Sequence, residues 1–555
     1  MTTNIRICGA AGQGVQSFGD LLARTFASMG LHVFATQSYL SRIRGGINSY
    51  DVRIGSEELF SSARKTDLLV ALNREALDQE KANLAMNGVM ILNTAESGGN
   101  YLALQMDKLA QAAGGTARMA NSAGAGAVVS VLGYDLDALH KCLTQEFSKK
   151  GRDIVEQNLD AASRGYRAVA GHEGLVRAPK PAGAPATLYD GSTAIALGAA
   201  TAGVKIVFSY PMTPSSGVLT ALAGMSHKYG MVVEQAEDEI AAPNLLCGAT
   251  FAGVPAMTTT SGGGFALMAE GLSLAGMLEL PIVIFLSMRP GPATGMPTRT
   301  AQGDLAFAAH AGHGEFPKII LAPGDLRQAF DLTRNAFELA HKFQTPVILV
   351  ADQFLTDLQK NIPELPDAPD YINLHLAKNS APGKAYERYL VTDSGVSPRA
   401  VPGGDSYVVS ASDMHAEGGH LSEDFNVQIA LQDKRMRKIT GILDEFIQPE
   451  IHPEPAGEVL LCWGSAYGPC RAAVDLLRAR GRDVCMVHFP MVWPLDGAAH
   501  APLFEGRRVI AVEGNGTGQF ALLLRQAGAL REFSLLPRYD GLPFTAEFIE
   551  TEVLS

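Results

Sequence analysis

Cysteine is scarce and scattered in this chain of 555 residues. Iron–sulfur clusters and structural zinc ions are held by closely spaced cysteines, as in CxxC runs, and here the closest pair has seven intervening residues. The chain itself is therefore predicted to hold neither an iron–sulfur cluster nor any other metal site. The six cysteines are Cys8, Cys142, Cys247, Cys462, Cys470 and Cys485.

Concentrated positive charge and long apolar runs are also lacking. The net charge is −12, and without a basic stripe to neutralise phosphates, nucleic-acid binding is not expected. No apolar stretch approaches the roughly 20 residues that span a bilayer. The opening MTTNIRICGAAG lacks the basic region and apolar core of a signal peptide. These absences predict a cytoplasmic protein that does not associate with membranes.

Alternating strand and helix patterns are present along most of the chain. Its length predicts roughly three to four domains, and strands that alternate with helices predict an α/β fold made of several open sheets. We place a first α/β domain at residues 1–170, a Pro- and Gly-rich linker at 171–187, a doubly wound domain at 188–358, a connecting segment at 359–455, and a compact α/β domain at 456–555. The charges of KRMRK in the connecting segment are predicted to lie on a solvated or interface surface.

The first domain contains a glycine loop between a strand and an amphipathic helix. The loop is G-x-x-G-x-G (GAAGQG, residues 9–14), not the dinucleotide fingerprint G-x-G-x-x-G, so a nicotinamide site is not predicted. Backbone amides around Gly12 and Gly14, with Arg42 and Arg44, could hold a phosphate group. Tight packing of the glycines, or contact with a partner subunit, is an alternative role for this segment.

Three polar segments follow consecutive strands of the doubly wound domain. They are YPMTPSS (210–216), the acidic triplet EDE (237–239) and TSGGG (260–264). Because ligands of open α/β sheets bind at the carboxyl ends of strands, Thr213, Glu239 and residues 260–264 are expected on one rim. The triplet could also be an ordinary acidic start of a helix, where carboxylates complement the helix dipole.

These segments resemble the pyrimidine-binding domain of thiamine-diphosphate enzymes of the 2-oxoacid:ferredoxin (or flavodoxin) oxidoreductase family. Glu239 lies nine residues before Gly248, the spacing of the glutamate that activates the cofactor in that family. The resemblance implies that Glu239 shares a proton with the aminopyrimidine ring and that Thr213 contacts the substrate and the cofactor. It also implies that Tyr210, Pro211, Thr260, Ser261 and Gly262 line the pyrimidine side.

The loop after strand PIVIFLS, MRPGPATGMPTRTAQGDL, is similar to that of the 2-oxoglutarate branch of the family. A guanidinium can form a bidentate pair with the carboxylate of a 2-oxoacid, so Arg289 is the predicted substrate ligand and Arg299 a second candidate. A surface ion pair is the alternative role for either arginine. His313 is a candidate acid, base or substrate donor, although loop histidines often only satisfy backbone groups.

The resemblance extends over nearly the whole chain, as an alpha subunit (pyrimidine-binding domain I and a transketolase C-terminal-like domain II) with a fused N-terminal gamma domain. Thiamine-diphosphate enzymes bind the diphosphate through Mg²⁺ on a GDG motif, and this chain has no GDG. The resemblance therefore implies thiamine diphosphate with Mg²⁺ shared with a beta subunit, which also carries the iron–sulfur cluster. Coenzyme A is the implied cosubstrate, and the segment with Gly12, Gly14, Arg42 and Arg44 is a candidate for holding it beside the packing and partner-contact roles.

The implied reaction is oxidative decarboxylation of a 2-oxoacid, with 2-oxoglutarate favoured, to acyl-CoA, CO₂ and reduced ferredoxin. Ferredoxin or flavodoxin is the implied electron acceptor, and the implied assembly is a dimer of gamma-alpha/beta heterodimers. Two alternatives stay open: a subunit of a non-oxidative thiamine-diphosphate carboligase or decarboxylase, and a catalytically silent scaffold.

Overall fold

The computed structural model of the chain describes residues 1–40, 46–377 and 386–555. These form two compact units. The first consists of Met1–Asp190, Asp357–Glu364 and Thr545–Glu547, and the second of Gly191–Thr356, Leu365–Phe544 and Phe548–Ser555. Strands are numbered β1–β20 and helices α1–α19 along the chain. No helix in the described ranges is both long and apolar enough to cross a lipid bilayer.

The first unit is built on an eight-stranded sheet with the order β6-β5-β4-β1-β3-β2-β14-β7. The strands are β1 Thr2–Ala10, β2 His32–Ser38, β3 Ile47–Gly55, β4 Thr66–Ala71, β5 Leu84–Asn93, β6 Leu102–Leu104, β7 Leu188–Asp190 and β14 Gln359–Asn361. Strands β7 and β14, which open the predicted second domain and connecting segment, thus lie in the first sheet. The domain boundaries otherwise stay a prediction.

Six helices accompany this sheet. They are α1 Val15–Ser28, α2 Arg74–Glu80, α3 Met106–Ala112, α4 Ala120–Val131, α5 Asp137–Phe147 and α6 Arg152–Ala168. Helix α1 buries Phe18, Leu22 and Phe26 in the apolar core of the unit. Helices α4 and α6 approach closely because Gly126 and Gly165 have no side chain. A Cβ at these positions would lie 1.9 and 1.8 Å from the backbone of the facing helix.

The second unit has a central seven-stranded sheet with the order β18-β12-β13-β11-β10-β8-β9. The strands are β8 Ile206–Ser209, β9 Val232–Gln235, β10 Ala256–Thr260, β11 Val283–Met288, β12 Ile319–Leu321, β13 Val347–Asp352 and β18 Met491–Trp493. All pairs are parallel except β12 with β18. Strands β10, β11 and β13 are buried along their whole length, as in parallel sheets covered on both faces.

A five-stranded sheet, β15-β17-β16-β19-β20, forms the carboxyl-terminal part of the same unit. Its strands are β15 Glu450–His452, β16 Glu458–Trp463, β17 Val484–Phe489, β19 Arg508–Glu513 and β20 Ser534–Pro537. The predicted α/β class with several open sheets is confirmed.

Thirteen helices complete the described part of the chain. Helix α13 begins where the Asp325 side chain accepts from the Gln328 amide, and α15 begins where Asp424 accepts from the amides of Asn426 and Val427. The helices are α7 Gly191–Ala202, α8 Ser216–Tyr229, α9 Ala241–Phe251, α10 Gly262–Leu267, α11 Ala269–Met277, α12 Leu305–His310, α13 Leu326–Phe343, α14 Gln353–Asp357, α15 Phe425–Asp444, α16 Tyr467–Ala479, α17 Gly497–His500, α18 Gln519–Gln526 and α19 Ala546–Leu554.

The basic residues of α15 are buried, so the prediction of a solvated or interface surface for KRMRK is wrong for three of them. Lys434, Arg435 and Lys438 are at most 4% exposed. Lys434 and Lys438 lie 2.7 and 2.5 Å from the carboxylate of Glu279. Burial by itself would raise the pKa of Glu279, but the two lysines outweigh it and lower the pKa to about 2. A buried ion cluster therefore fixes the connecting segment to the turn between α11 and β11, which the local sequence does not reveal.

Candidate functional site

Four neighbouring parallel strands, β11, β10, β8 and β9, end at the same edge of the central sheet. Arg289 follows β11, Ser261 follows β10, the turn with Thr213 follows β8, and Glu239 follows β9. Because parallel strands place their carboxyl ends together, the residues predicted for one rim do lie along that rim. We call this edge, with Thr213, Glu239, residues 260–264 and Arg289, the rim site.

The three acidic residues after β9 have three different environments. Glu237 is exposed. Asp238 accepts hydrogen bonds from the amides of Ile240 and Ala241, at 2.9 and 2.7 Å, where α9 begins. Glu239 is 5% exposed, and its Oε1 has no hydrogen-bond partner within the described structure. The helix-start role considered from the sequence thus belongs to Asp238, while Glu239 is turned inward and keeps one carboxylate oxygen without a hydrogen-bond partner in the described ranges.

The carboxyl group of Glu239 packs against the first turn of α10. A Cβ added at Gly264 would lie 2.9 Å from Glu239 Oε1 and 2.3 Å from Thr260 Oγ1. Only glycine leaves space for the glutamate at this position. Ser261, which directly precedes α10, is fully buried and makes no capping bond, and its Oγ has no partner in the described ranges. The rim site therefore contains two buried polar atoms whose hydrogen-bonding capacity is unused.

The turn after β8 is joined to the strand end after β11. Arg289 Nη1 donates to the backbone oxygen of Thr213 at 2.5 Å. Tyr210 is 37% exposed and Pro211 is exposed, whereas Thr213 and Arg289 are half-buried. Burial lowers the pKa of Arg289, and Asp304 opposes that shift. The structure thus brings together Thr213 and Arg289, two of the residues predicted to contact the substrate.

Asp304 is a residue of the rim site that the sequence did not single out. Its Oδ2 is buried without a hydrogen-bond partner in the described part of the chain. A Cβ on Gly262 would meet that oxygen at 2.4 Å, so the carboxyl group lies directly over the start of α10. Nothing in the local segment TAQGDL distinguishes this aspartate from an ordinary loop residue.

The other two predicted substrate residues are Arg299 and His313. Arg299 is half-buried and packs near Gly541, where an added Cβ would be 3.1 Å from its Cβ. His313 lines a separate pocket of about 440 Å³ with Phe316, Gln428 and Arg435. None of Thr213, Glu239 and Arg289 lines that pocket, so the structure does not place His313 with them.

The glycine loop of the first unit lines a pocket of about 290 Å³. Gly12 and Gly14 have positive φ angles of 90° and 76°, and Gly14 precedes α1. Polar side chains of β2, β3 and α1 complete the wall, among them Ser17, Gln37, Ser38 and Asn48. Arg42 and Arg44 lie outside the described residues.

The rim site fits the pyrimidine side of thiamine diphosphate. The unused oxygens of Glu239 and Ser261 can form hydrogen bonds with a polar ring, and Gly262 and Gly264 leave room for the carboxyl groups of Asp304 and Glu239 beside the start of α10. In the described ranges, no group of three or more His, Cys, Asp or Glu side chains is arranged to hold a metal ion.

Comparison with known proteins gives the family. Models described as "Pyruvate flavodoxin/ferredoxin oxidoreductase, thiamine diP-bdg" and "Pyruvate ferredoxin/flavodoxin oxidoreductase" match residues 197–431 and 4–168. The chain is 30% identical to 2-oxoacid:ferredoxin oxidoreductase subunit alpha of Sulfolobus sp, over 99% of this chain and 96% of that protein. The chain belongs to the 2-oxoacid:ferredoxin oxidoreductase family.

Further members of the 2-oxoacid:ferredoxin oxidoreductase family match along nearly their full length. The 2-oxoglutarate oxidoreductase subunit KorA of Mycobacterium tuberculosis is 28% identical over 98% of this chain and 90% of that protein. The solved 2-oxoglutarate:ferredoxin oxidoreductase from Magnetococcus marinus, with 2-oxoglutarate, coenzyme A and succinyl-CoA bound, has a TM-score of 0.92 and 29% identity over 100% of this chain and 99% of that one. The predicted family, its oxidoreductase activity and its thiamine-diphosphate-binding domain are confirmed. The roles of individual residues stay predictions.

Proposed function

We propose that this chain is the gamma-alpha subunit that activates thiamine diphosphate and orients a 2-oxoacid in an oxidative decarboxylation. The products are acyl-CoA, CO₂ and reduced ferredoxin. The favoured substrate is 2-oxoglutarate, because the sequence of the loop after β11 is similar to that of the 2-oxoglutarate branch of the family. The observation that carries the proposal is the buried carboxyl group of Glu239, whose Oε1 lacks a partner at the rim site.

Each rim residue has a separate task in this proposal. Thiamine diphosphate, when bound, supplies the carbon nucleophile that attacks the keto group. Glu239 exchanges a proton with the ring that lies against it, and its burial excludes water from that exchange. Arg289 binds the substrate carboxylate, and its hydrogen bond to the Thr213 carbonyl keeps the guanidinium beside the turn that contacts the substrate. Arg299 is the second candidate for binding the substrate carboxylate.

Coenzyme A is the proposed cosubstrate. The relative from Magnetococcus marinus has coenzyme A and succinyl-CoA bound, which supports the same cosubstrate here. The pocket beside Gly12 and Gly14 has the amides and hydroxyls that phosphate groups use. In this proposal, the residues of the first unit that line this pocket bind coenzyme A.

A beta subunit is the proposed partner, since the chain has neither GDG nor clustered cysteines. It would hold the diphosphate, Mg²⁺ and the iron–sulfur cluster, and would pass electrons to ferredoxin or flavodoxin. A dimer of such heterodimers is the proposed assembly. A cytoplasmic location is supported by the six cysteines, all of which are free thiols, as expected in a reducing compartment.

The deciding experiment compares Glu239→Gln with the wild type, each co-purified with the beta subunit. Glutamine keeps the size of the side chain but cannot take up and release a proton as the carboxyl group of Glu239 does. We expect 2-oxoacid-dependent viologen reduction to fall at least about a hundredfold, with the complex still assembled in gel filtration. A panel of 2-oxoacids, with and without coenzyme A, identifies the substrate.

The matched control is Glu237→Gln, which neutralises an exposed carboxylate two residues away and is expected to leave turnover near the wild-type level. Near-normal turnover of Glu239→Gln would reject the assignment and favour a silent scaffold. Conversion of the 2-oxoacid without viologen reduction would favour the non-oxidative alternative.

A further inference from the structure

Asp304 is a carboxyl group without an evident structural task. It directly precedes α12, yet its side chain makes no capping bond there. Its Oδ2 is buried and has no partner among the described residues, an arrangement that costs free energy and is rare in native structures. Burial raises the pKa of Asp304 to about 6, against an opposing effect of Arg289. A group of this kind at the rim site calls for a functional explanation.

The charged groups around Asp304 belong to the rim site itself. Arg289, at the end of β11, is the charge that acts on it. The carboxyl group of Asp304 packs against Gly262, and that of Glu239 packs against Gly264, two residues further along α10. On the turn that holds this loop, the bonded side chains of Gln302 and Gln519 are uncharged, and the buried Glu513 carboxylate accepts from the amides of Phe520 and Ala521. Any anion that reaches Arg289 therefore enters the field of Asp304.

The backbone on both sides of Asp304 is held by the turn between β19 and α18. The Gln302 amide donates to the Gly514 carbonyl at 2.8 Å. Gln519 Nε2 donates to the Gly303 carbonyl at 2.7 Å, and the Ala306 amide donates to Gln519 Oε1 at 2.9 Å. These bonds hold the segment at fixed positions before and after residue 304. The backbone that carries the carboxyl group is therefore fixed by Gly514 and Gln519, on either side of the turn between β19 and α18.

From this geometry we infer that Asp304 is a positioning residue for substrate binding, which acts through Arg289 and sets the charge that an entering 2-oxoacid carboxylate meets. The inference rests on the proposed function. Ionised Asp304 offsets part of the positive charge that the substrate carboxylate meets at Arg289, whereas protonated Asp304 leaves that charge in full. Protonation of Asp304 and binding of the substrate carboxylate therefore favour each other.

The direction of the pH effect follows from these charges. Above a pH of about 6 Asp304 is ionised and repels the substrate, whose own carboxylates stay ionised because their reference pKa values are about 3 to 4. KM for 2-oxoglutarate should therefore rise with pH between 6 and 8, by about three- to tenfold for a pair of partly screened charges. The kcat value should change less, because the effect acts on binding.

The test measures KM and kcat for 2-oxoglutarate from pH 6 to 8 in the complex with the beta subunit, for the wild type and Asp304→Asn. In Asp304→Asn we expect a KM that no longer depends on pH and lies about three- to tenfold below the wild-type value at pH 8. Asp331→Asn is the control, because Asp331 is a carboxylate on α13, 41% exposed and paired with Arg327, and its loss should leave the wild-type profile unchanged.

A second measurement needs no variant. Calorimetric titration of 2-oxoglutarate into the wild-type complex prepared without thiamine diphosphate, in buffers of different ionisation enthalpy, should show proton uptake on binding near pH 7. An equal rise of KM at every pH in Asp304→Asn, or absence of proton uptake in the wild type, would overturn the inference. Both results leave the proposed function intact, since wild-type 2-oxoacid-dependent viologen reduction tests that separately.

Discussion

At the scale of single residues, the rim site separates carboxyl groups that look alike in the sequence. Glu237 is exposed, Asp238 bonds to the amides that open α9, and Glu239 is buried against α10. Adjacent residues differ in this way because the chain turns sharply between β9 and α9, so successive side chains point to solvent, to the helix and to the interior. The chemistry assigned to Glu239 depends on this burial.

Gly264 is the residue on which the position of Glu239 depends most directly. In Gly264→Ala, the new Cβ would lie 2.3 Å from Thr260 Oγ1 and within 2.9 Å of the Glu239 carboxyl group, so Glu239 must move. Because a misplaced catalytic group can lower a rate about a hundredfold, we expect at least a tenfold loss of kcat for viologen reduction with a saturating 2-oxoacid.

Gly224→Ala, in α8, is the matched control outside the rim site. A Cβ on the exposed Gly224 would have no neighbour within 4 Å, so this variant should keep kcat within about twofold of the wild type, as surface substitutions usually do. Equal kcat values for the two variants would show that the contact between Gly264 and Glu239 has no role.

At the scale of elements, the turn between β19 and α18 is saturated by its own side chains. Glu513 accepts from the amides of Phe520 and Ala521, and Asn515 Oδ1 accepts from those of Thr517, Gly518 and Gln519. These amides, which the glycine-rich sequence could have offered to an anion, are already bonded. The turn instead holds the loop that carries Asp304, through Gln302 and Gln519.

Gln302 is the central residue of that attachment. It is 2% exposed, and its side chain donates to the Trp463 carbonyl and accepts from the Gly514 amide, at 2.9 and 2.8 Å. Gln302→Ala leaves both backbone groups buried without a partner, which we expect to lower the free energy of unfolding by about 1–3 kcal/mol. Urea unfolding of the chain, followed by fluorescence, measures this change.

Gln519→Ala is the comparison for Gln302→Ala. Its side chain is bonded to the same loop, at the Gly303 carbonyl and the Ala306 amide, but the bond to Gly303 is exposed, so water can replace it and the loss should be below about 1 kcal/mol. Stability losses of the same size would contradict the importance of burial in this attachment.

At the scale of the whole molecule, the chain keeps all of its cysteines as buried thiols. All six cysteines are free and buried. Burial raises the pKa of Cys8 and of Cys247 to about 12, so these thiols are neutral at physiological pH and poor nucleophiles.

Thiol reactivity tests this arrangement for the whole chain. We expect almost no reaction with a disulfide reagent at pH 8 in the native protein, and complete reaction of all six cysteines after unfolding in urea. Rapid reaction of one or more thiols in the native protein would mean that at least one cysteine is accessible, contrary to the burial described.

The sequence by itself determined the class of fold, the family and the rim on which the site is built. Strand endings and the motifs that follow them are local features, and parallel strands place their carboxyl ends together, so Thr213, Glu239 and residues 260–264 could be assigned to one edge. Whether Glu239 performs its predicted task stays a prediction for the Glu239→Gln experiment.

Only the tertiary structure decided which side chains are buried and what they meet. Asp304 packs on Gly262, and Lys434 and Lys438 are buried around Glu279; both contacts join segments that are distant in the chain. His313, in contrast, lines a pocket that none of Thr213, Glu239 and Arg289 lines. Periodicity and short motifs describe neighbours along the sequence, whereas desolvation and charge pairing depend on neighbours in space, which only the packing of the sheets and helices specifies.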